Sequence, residues 1–135
     1  GYNPIHDLYK TLVYDLCRWR NDNFPAGAPG PEGPVMPQNV IDKPPTAELR
    51  EDQKDEDSLP PYDQLDDILE CMVEGELSVD AVVERGHELA LVKRIEHLLY
   101  IAEYKRHQAA PGVKIGLRNF GRDRRYPITN GFRDT

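Results

Sequence analysis

The sequence predicts a mainly helical chain of about four helices joined by long loops. Its 135 residues correspond to about one domain. Apolar residues recur every three or four positions in four segments, which is the pattern of amphipathic helices. The 12 Pro and 10 Gly residues concentrate between these segments, where they favour loops.

The first helix is predicted over residues 8–21, with Asp7 as its N-cap. Its apolar stripe consists of Leu8, Leu12, Val13, Leu16 and Trp19. A Pro- and Gly-rich insert follows over residues 22–42. Within it, residues 24–37 contain five Pro and three Gly in fourteen positions, which disfavours helix and sheet and predicts an extended, mobile loop.

Residues 43–61 are predicted to form a mobile charged loop. Eight of the ten side chains at positions 48–57 are acidic or basic, and the run stops at Pro60 and Pro61. Such an apolar-poor segment buries too little surface to offset the entropy of ordering itself. On composition alone, a solvated loop is expected.

Residues 62–107 are predicted to form a small helical bundle. Its first helix covers residues 62–74 and closes at Gly75. A short helix over 79–85 is capped by Ser78, and the last helix covers 88–107. Lys105 and Arg106 fall in its final turn, where cations interact favourably with the helix dipole.

The charge is distributed unevenly between the two ends of the chain. The net charge is −7, which argues against general nucleic-acid binding. Residues 103–135 nevertheless carry 8 basic and 3 acidic side chains, and residues 108–135 form a basic C-terminal segment with no helical period. This segment could bind an anion, although the net charge of the chain would repel one.

The sequence contains no complete catalytic constellation, so no catalytic residue is assigned. Its four histidines never form a metal-ligand pattern, and no metal site is expected. Cys17 and Cys71 show no disulfide or C-x-x-C spacing, which predicts two buried thiols in a cytoplasmic protein. No apolar run is long enough to cross a membrane. From the residues alone, the chain could be a stand-alone helical interaction module whose basic tail binds an acidic partner.

Four ordered motifs nevertheless resemble the C-terminal part of bacterial glutamine-dependent NAD synthetases. They are N-P-I-x-D-L-Y-K-T at 3–11, K-P-P-T-A-E-L at 43–49 with D-Q-K-D-E-D-S-L-P-P-Y at 52–62, E-Y-K-R-x-Q-A-A-P-G at 103–112, and F-G-R-D-R-R-x-P-I-T-N at 120–130.

This resemblance implies that the chain is a peripheral helical part of an α/β synthetase domain of the adenine-nucleotide alpha-hydrolase-like, ATP pyrophosphatase type. The parent enzyme would adenylylate the carboxylate of deamido-NAD with ATP and Mg²⁺, and ammonia would then displace AMP. The implied partners are the rest of the synthetase domain and an N-terminal glutaminase domain, in a cytoplasmic homo-oligomer. The glutaminase triad and the S-G-G-x-D-S pyrophosphate loop are not in these residues. The fragment alone is therefore expected to be inactive and to bind no cofactor.

The resemblance also assigns binding residues by position. Lys10 and Thr46 match residues that contact ATP, and Lys105 with Tyr104 matches residues that contact deamido-NAD. The alternatives are a surface lysine at Lys10, a helix N-cap at Thr46 and a helix-end cation at Lys105. The charged loop corresponds to one that orders over the active site when substrate binds, with candidate residues Glu48, Asp52, Gln53, Asp55 and Glu56.

Overall fold

The computed structural model describes residues 1–43, 59–129 and 131. The chain divides into two compact units, one made of Gly1–Leu8 with Asp63–Thr135 and the other of Tyr9–Tyr62. The described residues form six helices and no strand. In chain order the helices are α1 Lys10–Asp22, α2 Gln38–Asp42, α3 Tyr62–Val73, α4 Val79–Glu84, α5 Leu89–Ile101 and α6 Glu103–Gln108. The predicted helical character is therefore confirmed.

Helix α1 begins two residues later than predicted. Its N-cap residue is Tyr9, with no side-chain capping bond, so the prediction that Asp7 caps this helix is wrong. Leu12, Leu16 and Trp19 share one face and are 45%, 42% and 49% exposed. This apolar stripe is the surface that the periodic pattern predicts, but the unit does not bury it.

The Pro- and Gly-rich insert is anchored to the end of α1. The Arg20 guanidinium donates to the carbonyls of Pro31 and Gly33, at 2.6 and 3.1 Å. The Asn21 side chain accepts from the backbone N–H of Met36 at 2.9 Å and donates to the carbonyl of the same residue at 2.7 Å. These two side chains satisfy loop backbone groups that Pro and Gly leave without a regular ladder.

Helix α2 was not predicted, because five residues are too few to show a helical period. It lies between Pro37 and Lys43, and it buries Ile41. Within the predicted charged loop, residues 44–58 lie outside the described residues.

In the unit made of Gly1–Leu8 and Asp63–Thr135, helices α3, α4 and α5 supply the hydrophobic core. Its buried apolar side chains are Leu65, Ile68, Cys71, Met72, Val73, Val79, Val82, Val92, Ile95 and Leu99. Helix α4 packs against α5. The Ser78 hydroxyl accepts from the backbone N–H of Ala81 at 3.3 Å, which confirms the predicted cap.

The predicted helix 88–107 is broken at Ala102 into α5 and α6. In a continuous helix the carbonyl of Leu99 would accept from the backbone N–H of Glu103. Here it accepts from the Arg106 guanidinium instead, at 2.7 Å. Ala102 adopts φ −80° and ψ 0° at the break. The side chain of Arg106 thus competes with the helix ladder.

Residues 109–129 contain no helix, as the lack of a helical period predicts. In the part of the chain that the structure describes, no helix is long and apolar enough to span a bilayer.

Candidate functional site

The predicted deamido-NAD residues lie together on α6. Tyr104 is 45% exposed and Lys105 is also exposed. Within the described residues, the Lys105 ammonium forms no ion pair. The backbone of this turn is helical, with the Lys105 N–H donating to the carbonyl of Ala102 at 3.0 Å. Lys105 is therefore a solvent-facing cation in a fixed turn.

A buried ion pair lies under these residues. Oε2 of Glu103 accepts from Nε and Nη2 of Arg106 at 3.0 and 2.5 Å, and the two side chains are 2% and 5% exposed. Nε2 of His107 lies 3.1 Å from the other carboxylate oxygen. Burial raises the pKa of Glu103, but the hydrogen bonds and charge of Arg106 outweigh it, helped by the backbone N–H of Tyr126 and by His107. The net pKa lies below the ordinary value.

Arg106, predicted as a cation in the last turn of a helix, is buried. Its guanidinium lies 5.3 Å from the centre of the Phe120 ring, in addition to its bonds to Glu103 and Leu99. It therefore links α5, α6 and the C-terminal segment. The i, i+3 spacing of Glu103 and Arg106 is a sequence signal for an ion pair. Only the structure shows that this pair is buried.

Asp7 holds the C-terminal segment to the N-terminal residues. Its carboxylate accepts backbone hydrogen bonds from Ile115 at 2.8 Å, Gly116 at 3.2 Å and Phe120 at 2.8 Å. The backbone N–H of Asn3 also donates to the carbonyl of Pro111 at 2.9 Å. Sequence reasoning missed this role, since the partners lie more than a hundred residues away.

A tight turn shapes residues 119–123. The Asn119 side-chain oxygen accepts from the backbone N–H groups of Gly121 and Arg122 at 3.0 and 2.7 Å. Asp123 accepts from the backbone N–H of Asn119 at 2.8 Å and from Nζ of Lys114 at 2.6 Å. The hydrogen bond from Lys114 is the main reason that the pKa of Asp123 lies below its usual range.

Arg124 lies against two aromatic rings beside a cavity of about 410 Å³. Its guanidinium carbon is 5.9 Å from the Tyr100 ring centre and 5.0 Å from that of Tyr126. The two rings meet edge to face, 4.8 Å apart. Burial, followed by the hydrogen bond with Tyr126, raises the pKa of Tyr100. Arg124 is thus a packed cation, supported by cation–π attraction.

The described structure contains one of the two predicted ATP residues. Lys10 is exposed at the first position of α1, with its ammonium 6.0 Å from the Tyr14 ring centre. Thr46 lies outside the described residues. So do the candidate loop residues Glu48, Asp52, Gln53, Asp55 and Glu56.

The two thiols differ in burial. Cys71 is buried, and this burial raises its pKa against the opposing charge of Arg85, while Asp67 and Glu70 add to the rise. Cys17 is only half-buried, so the prediction of two buried thiols holds fully for Cys71 alone. Among residues 1–43, 59–129 and 131, no group of three or more His, Cys, Asp or Glu side chains could hold a metal ion.

Comparison with known proteins decides the family. The sequence model of NAD synthase matches residues 1–109. The chain belongs to the NAD synthase family. Members of this family that resemble it include glutamine-dependent NAD(+) synthetases from Rhodobacter capsulatus, 58% identical over 134 residues, and from Thermotoga maritima, 43% identical over 134 residues. The resemblance carried by the four motifs is confirmed, and the interaction-module alternative is not favoured.

The chain covers only part of these family members. The alignments include 99% of the chain but 24% and 22% of the two relatives, so the chain spans about a quarter of their length. A solved NAD+ synthetase from Acinetobacter baumannii, in complex with ADP, matches with a TM-score of 0.55 and 36% identity. That match covers 96% of this chain and 20% of the other.

Proposed function

We propose that this NAD synthase chain is the C-terminal part of a glutamine-dependent enzyme that converts deamido-NAD to NAD. The observation that carries the proposal is the 58% identity to a glutamine-dependent NAD(+) synthetase over 134 residues. In the parent, the nicotinate carboxylate attacks the α-phosphorus of ATP and releases pyrophosphate. Ammonia then attacks the acyl carbon of the adenylate, expels AMP and leaves the amide of NAD.

Lys105 and Tyr104 are proposed to contact deamido-NAD. Support comes from the exposure of both side chains and from the absence of an ion pair at Lys105 within the described residues. The dinucleotide carries a pyrophosphate and a carboxylate, so an unpaired ammonium has a partner of opposite charge. The buried pair of Glu103 and Arg106 keeps this turn in place.

Lys10 and Thr46 are proposed to contact ATP. Lys10 opens a helix of 13 residues whose N-terminus has no side-chain cap. The positive end of the helix dipole and the ammonium both favour a phosphate there. The charged stretch at residues 48–60 is proposed to close over the bound substrates, and this would shield the adenylate from water.

The proposed Mg²⁺ would neutralise charge on the triphosphate when bound. Since the described residues contain no group of three or more His, Cys, Asp or Glu side chains that could hold a metal ion, no ligand is assigned to them. The proposal also includes a cytoplasmic homo-oligomer, an α/β synthetase domain around these helices, and an N-terminal glutaminase domain that releases ammonia from glutamine.

An isotope experiment on the full-length protein tests the reaction. Deamido-NAD labelled with ¹⁸O in the carboxylate is incubated with ATP, Mg²⁺ and either glutamine or ammonium. We expect equal amounts of NAD, AMP and pyrophosphate, with one ¹⁸O transferred to AMP. Formation of ADP and labelled inorganic phosphate would indicate an acyl phosphate and overturn the proposal, as would the absence of NAD. Turnover with ammonium but not with glutamine would overturn glutamine dependence alone.

A further inference from the structure

A basic cavity of about 470 Å³ lies in the unit that contains α3 to α6. Its volume is within the range of small-molecule sites. One wall is the chain from Ala109 to Gly112, and the turn at Asn119–Asp123 forms another. The side chains of His6, Arg106, Lys114 and Arg125 complete the lining.

Four cationic side chains line the cavity, Arg106, Lys114, Arg122 and Arg125, and two of them are already neutralised. Arg106 pairs with Glu103, and Lys114 pairs with Asp123 at 2.6 Å. Neither Arg122 nor Arg125 has a carboxylate partner within the described residues. The cavity therefore has two guanidinium groups whose charge the protein leaves uncompensated.

The backbone around the two arginines is held in place before any ligand arrives. Asn119 accepts from the backbone N–H of Arg122, and Nε of Arg125 donates to the carbonyl of Gly121 at 2.9 Å. This bond uses one donor of Arg125 and leaves its two Nη groups. Because the turn is already ordered, binding there costs little conformational entropy.

Gly112 lies so close to His6 that a larger residue has no room there. A Cβ at position 112 would lie 2.5 Å from the carbonyl oxygen of Asn3 and 2.8 Å from Cβ of His6. Gly112 thus lets the backbone approach the histidine closely and shapes the cavity wall.

We propose that this cavity binds a phosphate or pyrophosphate group through Arg122 and Arg125. Planar guanidinium groups match phosphate oxygens in pairs. Apart from the His6 imidazole, the described residues of the lining include no aromatic ring on which a nucleobase could stack. The site therefore recognises the anionic group itself. This binding depends on these side chains and is independent of the proposed synthetase activity.

Hydrogen–deuterium exchange of the full-length protein tests the site locally. Exchange in peptides covering residues 109–125 is measured with inorganic phosphate, with inorganic pyrophosphate, and with potassium chloride at equal ionic strength. We expect slower exchange with one or both phosphate probes and no slowing with chloride. Tighter binding of pyrophosphate assigns a diphosphate ligand, while equal binding assigns a single phosphate group.

The variants separate this cavity from other phosphate-binding parts of the protein. Arg122→Gln removes a side chain that makes no ion pair among the described residues, so the turn stays folded, and we expect the apparent affinity to fall by about tenfold. Arg122→Lys keeps the positive charge, so its apparent affinity for the phosphate probe should fall less than that of Arg122→Gln. Arg18→Gln is the matched control, since Arg18 lies on α1 with a side chain 56% exposed.

Three results would overturn the proposal that this cavity binds phosphate. The first is no change in exchange over residues 109–125 with either probe. The second is protection that remains unchanged in Arg122→Gln. The third is an equal loss of protection in Arg18→Gln, which would indicate a general charge effect.

Discussion

The carboxylate of Asp7 accepts a 2.8 Å hydrogen bond from the backbone N–H of Phe120, 113 positions further along the chain. The same carboxylate also accepts from Ile115 and Gly116. One side chain near the N-terminus therefore organises the backbone of the basic segment. This relationship makes Asp7 a tether between two distant stretches of sequence.

Replacing Asp7 by alanine should loosen the segment that it holds. Three backbone N–H groups lose a charged acceptor, and we expect local stability to fall by about 2 kcal/mol. Exchange of the amides at residues 115–120 should accelerate accordingly. Asp15→Ala is the control, because Asp15 pairs with Arg18 on the exposed surface of α1. Equal exchange in the wild type and in Asp7→Ala would contradict the tether.

Removing Arg106 should destabilise the protein strongly. In Arg106→Gln the Glu103 carboxylate stays buried without its main partner, which costs about 3–5 kcal/mol. Arg118→Gln is the matched control at an exposed pair with Glu76, with side chains 37% and 63% exposed, where about 0–1 kcal/mol is expected. Urea unfolding measures both values. A double variant with Glu103→Gln should recover part of the loss, and similar losses at both arginines would argue against a special role for burial.

Stability should decline in acid partly through Glu103. Because its pKa is lower in the folded state than in the unfolded chain, its ionised form stabilises the fold fully above about pH 4.3. That contribution is lost as the pH falls through the lowered pKa. The free energy of unfolding should therefore depend less steeply on acid pH in Glu103→Gln than in the wild type. Parallel pH curves for the two proteins would rule this out.

Lys105→Ala should weaken binding of deamido-NAD in the full-length protein. We expect the KM for deamido-NAD to rise at least about tenfold, which corresponds to about 1.4 kcal/mol, with the KM for ATP unchanged. Lys93→Ala on α5 is the control, because Lys93 is also exposed but lies outside the motif. If Lys105→Ala leaves the KM unaltered, Lys105 is only a helix-end cation.

Lys10→Gln should have the complementary effect. The change removes the ammonium at the start of α1 while keeping good helix propensity, so we expect the KM for ATP to rise about tenfold. The KM for deamido-NAD should stay constant. Arg18→Gln, two turns further along the same helix, should leave both values unchanged. A rise in both constants for Lys10→Gln would indicate a structural role instead.

The sequence by itself determined the helices whose pattern is local. The apolar repeats of α1 and α3 and the Ser78 cap of α4 are encoded within a few neighbouring residues. The ends of these three helices were therefore predicted to within about two residues. The family could also be predicted, because the order of the four motifs can be read directly from the sequence. The five residues of α2 were missed since they span too little chain to show a period.

Only the tertiary structure decided the roles of residues whose partners are distant. Asp7 looked like a helix cap, and its backbone partners at 115–120 are too far along the chain for a local pattern to find. Arg106 looked like a cation at a helix end, but it is buried beside Glu103 and donates to the Leu99 carbonyl next to the break at Ala102. Local spacing encodes helices, whereas the electrostatic value of a charge depends on which chain segments fold around it.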